Sequence, residues 1–247
     1  MQVGYVCEAS PEVSANEDFV LASERFVVVL DGATASGMPT GCVHDVAWLA
    51  GRLGGRLAAV LIERPELGLV EVLREGIVST LALHAGCDLR NPDSPSSTVA
   101  VVRERGGLLE WLVLADSWVV VERVGGGIVE VHDDRTAHLP AYDRASVSRL
   151  RNTDEGFWVA STRPEAADRA LTGSVPAAEV RRFAVVTDGV SRLVERYGWS
   201  WARVLDALEQ RGPAAVVREL RAAEAAAEAG SFRGKRYDDA TAVFGVL

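Results

Sequence analysis

Two apolar strands of this chain end on the same dipeptide: Asp31-Gly32 closes FVVVLDG, and Asp188-Gly189 closes FAVVTDG. An ionised carboxylate at the end of a buried strand is costly to desolvate unless a cation meets it. Taken alone, Asp31-Gly32 reads better as a turn than as a metal ligand. Three further acidic positions lie on or beside apolar strands. Asp116 interrupts LVLADSWVVV, the tripeptide NED covers Asn16 to Asp18, and Asp238-Asp239 precede the last strand pattern. Carboxylates gathered in one place repel one another and raise each other's pKa unless divalent metal neutralises them. Hard oxygen ligands of this kind suit Mg²⁺ or Mn²⁺ rather than zinc.

The elements that must position these residues are legible from periodicity. Strand patterns cover QVGYVCEA and RFVVVL. Helical spacing of apolar residues follows in HDVAWLAGRLGGRLAAVLIERP and again in LVEVLREGIVSTLALHAG, with Pro65 near the break between them. STVAVVRER, LLEWLVLADSWVVVERV and IVEVHDD read as a meander of antiparallel strands joined at Gly-rich turns. The mixed composition of residues 151–180 makes that stretch a candidate flap on the substrate side. RRFAVVTDGVSRLV is a strand running into a helix, WARVLDALEQ and AAVVRELRAAEAAAEAG are Ala-rich helices, and DDATAVFGVL is a final strand. No repeat or linker-like segment divides the chain, so residues 1–247 read as one α+β domain of helices stacked in layers on antiparallel strands.

Bulk properties narrow the function. The net charge of −9 disfavours a nucleic-acid partner, which needs a basic surface, and suits a protein that collects divalent cations. The N-terminal residues lack the basic start and apolar stretch of a signal peptide, and the longest apolar runs fall short of a membrane span. Cys7, Cys42 and Cys87 are widely spaced; their spacing is neither a zinc pattern nor a disulfide framework. The expectation is a cytoplasmic protein with reduced cysteines and no membrane partner.

The ordered series NED, LDGAT, SST, LADS, TDGV and DDAT resembles the metal-dependent protein phosphatases of type 2C, the serine/threonine phosphatases. The resemblance covers essentially the whole chain. It implies a four-layer α-β-β-α sandwich, two antiparallel sheets flanked by helices, with the metal centre at one end. It also implies roles by position. Asp31 resembles the carboxylate bridging two Mn²⁺ or Mg²⁺ ions, and Gly32 the residue offering a carbonyl to one of them. Asp188 and Asp238 resemble ligands of the other ion. Glu17 and Asp18 match the acidic pair that orients metal-bound waters, and Asp116 matches the aspartate that holds a third, looser metal. Two such ions lower the pKa of a water for attack on a phosphoryl group and offset the charge that builds on its oxygens. The implied partner is a phosphorylated protein carrying phosphoserine or phosphothreonine.

The series also departs from the family pattern. Val13 stands where an Arg grips substrate phosphate, and a bidentate guanidinium is a clamp that valine cannot replace. Arg192 and Lys235 are the candidates to substitute for it. Ala115 replaces a Gly, a small steric change; Ser96-Ser97-Thr98 replace Gly-Thr-Thr; Asp239 replaces an Asn and adds negative charge. His44, near the start of the first long helix, is a candidate proton donor to the leaving group, with a helix-cap histidine as the alternative. Val13 keeps two other readings open: a non-catalytic metal-binding module that recognises a partner, and a phosphatase of small-molecule phosphates.

Overall fold

The computed structural model of the chain describes residues 1–13, 15–33, 39–228 and 230–247. Thr34 of LDGAT and position 229 of the Ala-rich helix pattern lie outside the described residues. In chain order the elements are β1 Gln2–Glu8, β2 Phe19–Ala22, β3 Phe26–Leu30, β4 Gly32–Ala33, α1 Val46–Glu63, α2 Leu69–Leu81, β5 Ser96–Ser97, β6 Val99–Arg105, β7 Leu108–Leu114, β8 Trp118–Arg123 and β9 Ile128–Val131. Then follow α3 Arg144–Leu150, β10 Leu171–Pro176, β11 Val180–Val186, α4 Asp188–Glu195, α5 Trp201–Arg211, α6 Pro213–Ala226 and β12 Ala240–Val246.

Two five-stranded antiparallel sheets form the centre, ordered β1-β12-β11-β8-β9 and β10-β7-β6-β3-β2. β3 explains why an uninterrupted apolar run belongs here. Val27 and Val29 face the other sheet and pack with Phe183, Val185 and Val243. Val28 and Leu30 face the opposite way and pack with Leu53 and Leu57 of α1 and Leu73 and Ile77 of α2. A strand covered on both faces has no polar side to alternate with. On the outer face of the first sheet, Val120, Ala184, Val186 and Ala242 meet Leu193, Val204, Leu208, Val216 and Leu220 of α4, α5 and α6. The result is the expected α-β-β-α layering. No described helix is long and apolar enough to cross a membrane.

Two readings from the sequence are corrected. The meander does not stay in one sheet: β6 and β7 form a hairpin in one, and β8 and β9 form a hairpin in the other. The chain changes sheets between Leu114 and Trp118, and Asp116 sits at that step. Hydrophobic alternation cannot distinguish a hairpin from a crossover, because both leave the strands equally apolar. Residues 158–180 are not an irregular excursion. They include β10, paired along β7, and Trp158, Ala160, Ala166 and Ala167, which are buried among the residues of α1 and α2. Their mixed composition reflects a short edge strand and small buried residues.

Candidate metal centre

Asp31 follows β3 directly, and its backbone is pinned. Its N–H donates to Thr98 Oγ1 at 3.1 Å, and its carbonyl accepts from Thr98 N at 2.9 Å and Ser97 Oγ at 3.0 Å. The glycines after the two strand-end aspartates serve close approach rather than a turn, since neither Gly32 nor Gly189 has a positive φ. A Cβ at Gly32 would stand 2.4 Å from Val46 Cγ1 and 2.6 Å from the Glu17 carbonyl oxygen. One at Gly189 would stand 2.0 Å from the Asp239 carbonyl oxygen. Both clashes lie well inside contact distance, so each Asp-Gly marks a place where another acidic segment crosses against the backbone.

Those segments are held by the side chains that the motifs contain. Asp18 Oδ2 accepts from Thr187 Oγ1 at 3.0 Å and Thr241 Oγ1 at 2.7 Å, which joins NED to TDGV and DDAT. Asp239 accepts the backbone N–H of Ser10 on one oxygen and of Glu17 on the other, each at 2.7 Å. The extra negative charge noted at this position is thus met by two backbone donors. Asp188 opens α4, where the free N–H groups of the first turn favour a carboxylate. Asp238 accepts from Arg192 Nη2 at 2.6 Å and lies 3.3 Å from Lys235 Nζ. Arg192 is 3% exposed and also faces the buried Glu224 at 3.4 Å, so its charge is committed to two carboxylates. Asp116 accepts from Thr136 Oγ1 at 3.2 Å. Ala115 before it has φ +66°, the left-handed region that glycine occupies without a Cβ penalty. The substitution read as a small steric change is therefore a backbone strain.

The electrostatics tie these positions together. Burial raises Asp31 well above the usual carboxylate range, and the charges of Asp18, Asp188, Asp116 and Asp238 push it further the same way. Asp188 is raised by burial and then by Asp238, against the opposing pull of Arg192 and a hydrogen bond with Asp31. Asp18 is pushed up to about 7, chiefly by burial and against its two threonine hydrogen bonds. Asp116 is also pushed up to about 7, by burial first and Asp188 second. Asp18 Oδ1 is buried with no hydrogen-bond partner among the described residues. A partnerless buried carboxylate oxygen among mutually repelling carboxylates is a donor set suited to hard divalent cations.

Two cavities open beside this set. One of about 540 Å³ is lined by Asp116, Asp188, Glu195, His132, Tyr142 and Arg233 among others. The Arg233 guanidinium lies 3.3 Å over the Tyr142 ring. The other, of about 230 Å³, has Val13, Glu17, Lys235, Asp238 and Asp239 in its wall. Arg233, Thr187 and Thr241 stand at the site without having been legible there from the sequence. The two threonines lie inside quoted motifs, and the signal that could have found them is a hydroxyl beside each aspartate. Arg233 carried none, because lone arginines are common in this chain.

His44 sits elsewhere in the contact network. Its ring stacks on Trp48 at 3.7 Å, and its Nδ1 lies 3.5 Å from Cys42 Sγ and 3.6 Å from Cys87 Sγ. His84 Nδ1 is 3.4 Å from Cys42 Sγ. The cysteine spacing read as no metal pattern is corrected on this point: the fold brings Cys42, His44, His84 and Cys87 into one group. The pairing of two helices supplies that proximity, and sequence spacing alone does not show it.

The family model for protein phosphatase 2C matches residues 14–223. No curated protein matches the chain. Among solved structures, the PPM Ser-Thr phosphatase MsPP from Mycobacterium smegmatis, in complex with cacodylate, is 19% identical with a TM-score of 0.64; the match covers 100% of this chain and 98% of that one. The serine/threonine phosphatase Stp1 from Staphylococcus aureus is 11% identical with a TM-score of 0.64, covering 100% and 95%. The catalytic domain of the serine threonine protein phosphatase PstP, in complex with 2 manganese ions, is 18% identical with a TM-score of 0.60, covering 98% and 96%. At these identities the likeness shows the fold.

Proposed function

The chain thus belongs to the protein phosphatase 2C family, and from that premise we propose that it hydrolyses phosphoserine and phosphothreonine monoesters on proteins, using Mn²⁺ or Mg²⁺ held by its acidic cluster. One observation carries this reading: Asp18 is tied by hydrogen bonds to Thr187 and Thr241 of two other motifs, and its charge and those of Asp116, Asp188 and Asp238, four separate stretches of the chain, all bear on Asp31. The manganese in the PstP structure supports the choice of cation. The whole of residues 1–247 is taken as one phosphatase unit, supported by the pairing of β1 with β12 along the full length of both strands.

Asp31, Asp188 and Asp238 would hold two ions, with the Gly32 carbonyl as a further donor, and Asp116 a third. Bound divalent cations would acidify water and offset charge on phosphoryl oxygens. The protein's own groups set the geometry. Thr187 and Thr241 fix Asp18 through one oxygen and leave the other available. Asp239 fixes Glu17 through its backbone. Arg192 holds Asp238 from the protein side, so we assign it to orienting that carboxylate rather than to gripping phosphate. Lys235 shares a cavity with Val13 and supplies a cation where valine has none.

The test is turnover of an aryl phosphate and of phosphopeptides by the purified chain. Activity is expected to require Mn²⁺, to vanish in excess EDTA, and to be lost in Asp31→Ala and in Asp188→Ala. Activity that persists in excess chelator would overturn the reading. Tight Mn²⁺ binding without turnover of any phosphoester would favour the partner-recognition module that Val13 suggests. Turnover of phosphometabolites but not phosphopeptides would move the substrate class to small molecules.

A further inference from the structure

A second group of metal-type side chains lies where the segment before α1 meets the turn after α2. Cys42 Sγ is 3.4 Å from Cys87 Sγ, 3.4 Å from His84 Nδ1 and 3.5 Å from His44 Nδ1. Cys87 Sγ is 3.6 Å from His44 Nδ1. One ligand atom from each of the four residues falls within 4.8 Å of all the others. Tetrahedral zinc, with Zn–S of about 2.3 Å and Zn–N of about 2.0–2.1 Å, requires S···S edges of about 3.8 Å and S···N edges of about 3.5 Å. The four separations above match those edges to within ~0.4 Å.

The surroundings hold the group in place. The Asp88 N–H donates to the Gly41 carbonyl at 2.8 Å, and Asn91 Nδ2 donates to the Pro39 carbonyl at 2.8 Å, joining the two loops on either side of the cysteines. The Cys87 N–H donates to the His84 carbonyl at 3.2 Å, a turn that brings both side chains to one side. Trp48, in the first turn of α1, stacks on His44 and meets the His84 ring edge-on at 4.9 Å, so one indole sets the planes of both imidazoles. Thiols are weak hydrogen-bond donors, and bonding among them explains poorly why two cysteines and two histidines converge.

We propose that Cys42, His44, His84 and Cys87 form a closed structural zinc site, tying the segment that leads into α1 to the end of α2. Two thiolates and two neutral imidazoles around Zn²⁺ carry no net charge, which suits their half-buried setting. Four protein ligands leave no open position, which marks the site as structural rather than catalytic. Its soft sulfur and nitrogen donors separate it chemically from the all-oxygen acidic cluster. The site takes His44 as a zinc ligand and so assigns proton donation elsewhere.

The test is metal content of the full chain purified from zinc-supplemented cells. One zinc per chain is expected in the unaltered protein and in Cys7→Ser, and none in Cys42→Ser or Cys87→Ser. Because those variants could fail to fold, the unaltered chain is also stripped and titrated with Co²⁺. One equivalent is expected to give a thiolate-to-cobalt charge-transfer band with intense tetrahedral visible bands, displaced by one equivalent of Zn²⁺. Cobalt entering the carboxylate cluster produces no sulfur band, so this result and the phosphatase assay are read independently. Absence of both zinc and the sulfur band overturns the proposal, as does a Cys42–Cys87 disulfide in zinc-free protein prepared under reducing conditions.

Discussion

Asp239 and Glu17, far apart in sequence, are joined by a 2.7 Å hydrogen bond from the Glu17 backbone N–H to Asp239 Oδ2. The other oxygen of the same carboxylate takes the Ser10 N–H. The residue that leads into the last strand thereby fixes the segment that carries Glu17 and Asp18. Hydrogen bonds to a charged acceptor contribute about 1.5–3 kcal/mol each, so Asp239→Ala is expected to cost about 3 kcal/mol in urea unfolding. It should also weaken Mn²⁺ binding by calorimetry. Asp239→Asn keeps one acceptor oxygen and should fall between the two. Equal stability of all three proteins would show that this staple contributes nothing.

Ala115 makes the opposite kind of prediction. Its φ of +66° places a Cβ where the left-handed backbone resists one, at about 1–2 kcal/mol for an L-residue. Ala115→Gly relieves that strain but deletes a methyl packed with Phe157 and Val159. Glycine also costs unfolded-chain entropy, so the net gain should be smaller, about 0.5–1 kcal/mol. Ala115→Val should destabilise. Both are read from the shift in the urea midpoint, and a loss of stability in Ala115→Gly would refute the strain account.

These two positions mark the boundary of what the sequence discloses. The central strands were legible because sandwich burial on both faces leaves an unbroken apolar run, as in FVVVL. The long helices were legible from their period. The acidic residues were legible as a set because each ends, interrupts or adjoins an apolar strand pattern, and Asp-Gly occurring twice in that setting is hard to read as two turns. Partnership was not legible. Nothing in TDG or DAT shows that Thr187 and Thr241 hold one oxygen of Asp18, and nothing in LADS shows that the chain changes sheets at Asp116. β2 and β10 were missed because β2 is an apolar edge strand of only four residues and β10 an edge strand interrupted by polar residues and by Gly173 and Pro176. The Cys–His group was missed because its halves belong to two helix ends, which only helix packing brings together.

Acidity gives a third prediction. Asp18 and Asp116 are each held near 7 in the native state, against 3.8 for an ordinary aspartate. Between those values the folded chain keeps protons that the unfolded chain has released. Stability therefore falls as pH rises through that window. The melting temperature of the EDTA-treated protein should drop between pH 5 and pH 8. Saturating Mn²⁺ should flatten or reverse the slope, because the cation replaces the proton. A melting temperature that rises with pH in EDTA would contradict the burial of these carboxylates.

Arg192 decides between orientation and substrate contact. It is buried between Asp238 at 2.6 Å and Glu224 at 3.4 Å, and Glu224 is fully buried. Breaking a buried pair by removing one partner typically costs about 3–5 kcal/mol. Glu224 keeps Arg221 as a second partner at 2.8 Å, so Arg192→Met should fall at the lower end, about 3 kcal/mol. Lysine offers one donor centre where Arg192 uses two nitrogens in a fixed fork, so Arg192→Lys should restore stability only in part. The kinetic signature separates the roles. If Arg192 orients Asp238, Arg192→Lys raises the Mn²⁺ concentration needed for half-maximal activity and lowers kcat, with KM for phosphopeptide little changed at saturating metal. If it grips phosphate, KM rises at every metal concentration and the metal requirement stays where it was. The same assay on Lys235→Ala is expected to show the second pattern, because Lys235 shares its cavity with Val13 while Arg192 lies behind Asp238.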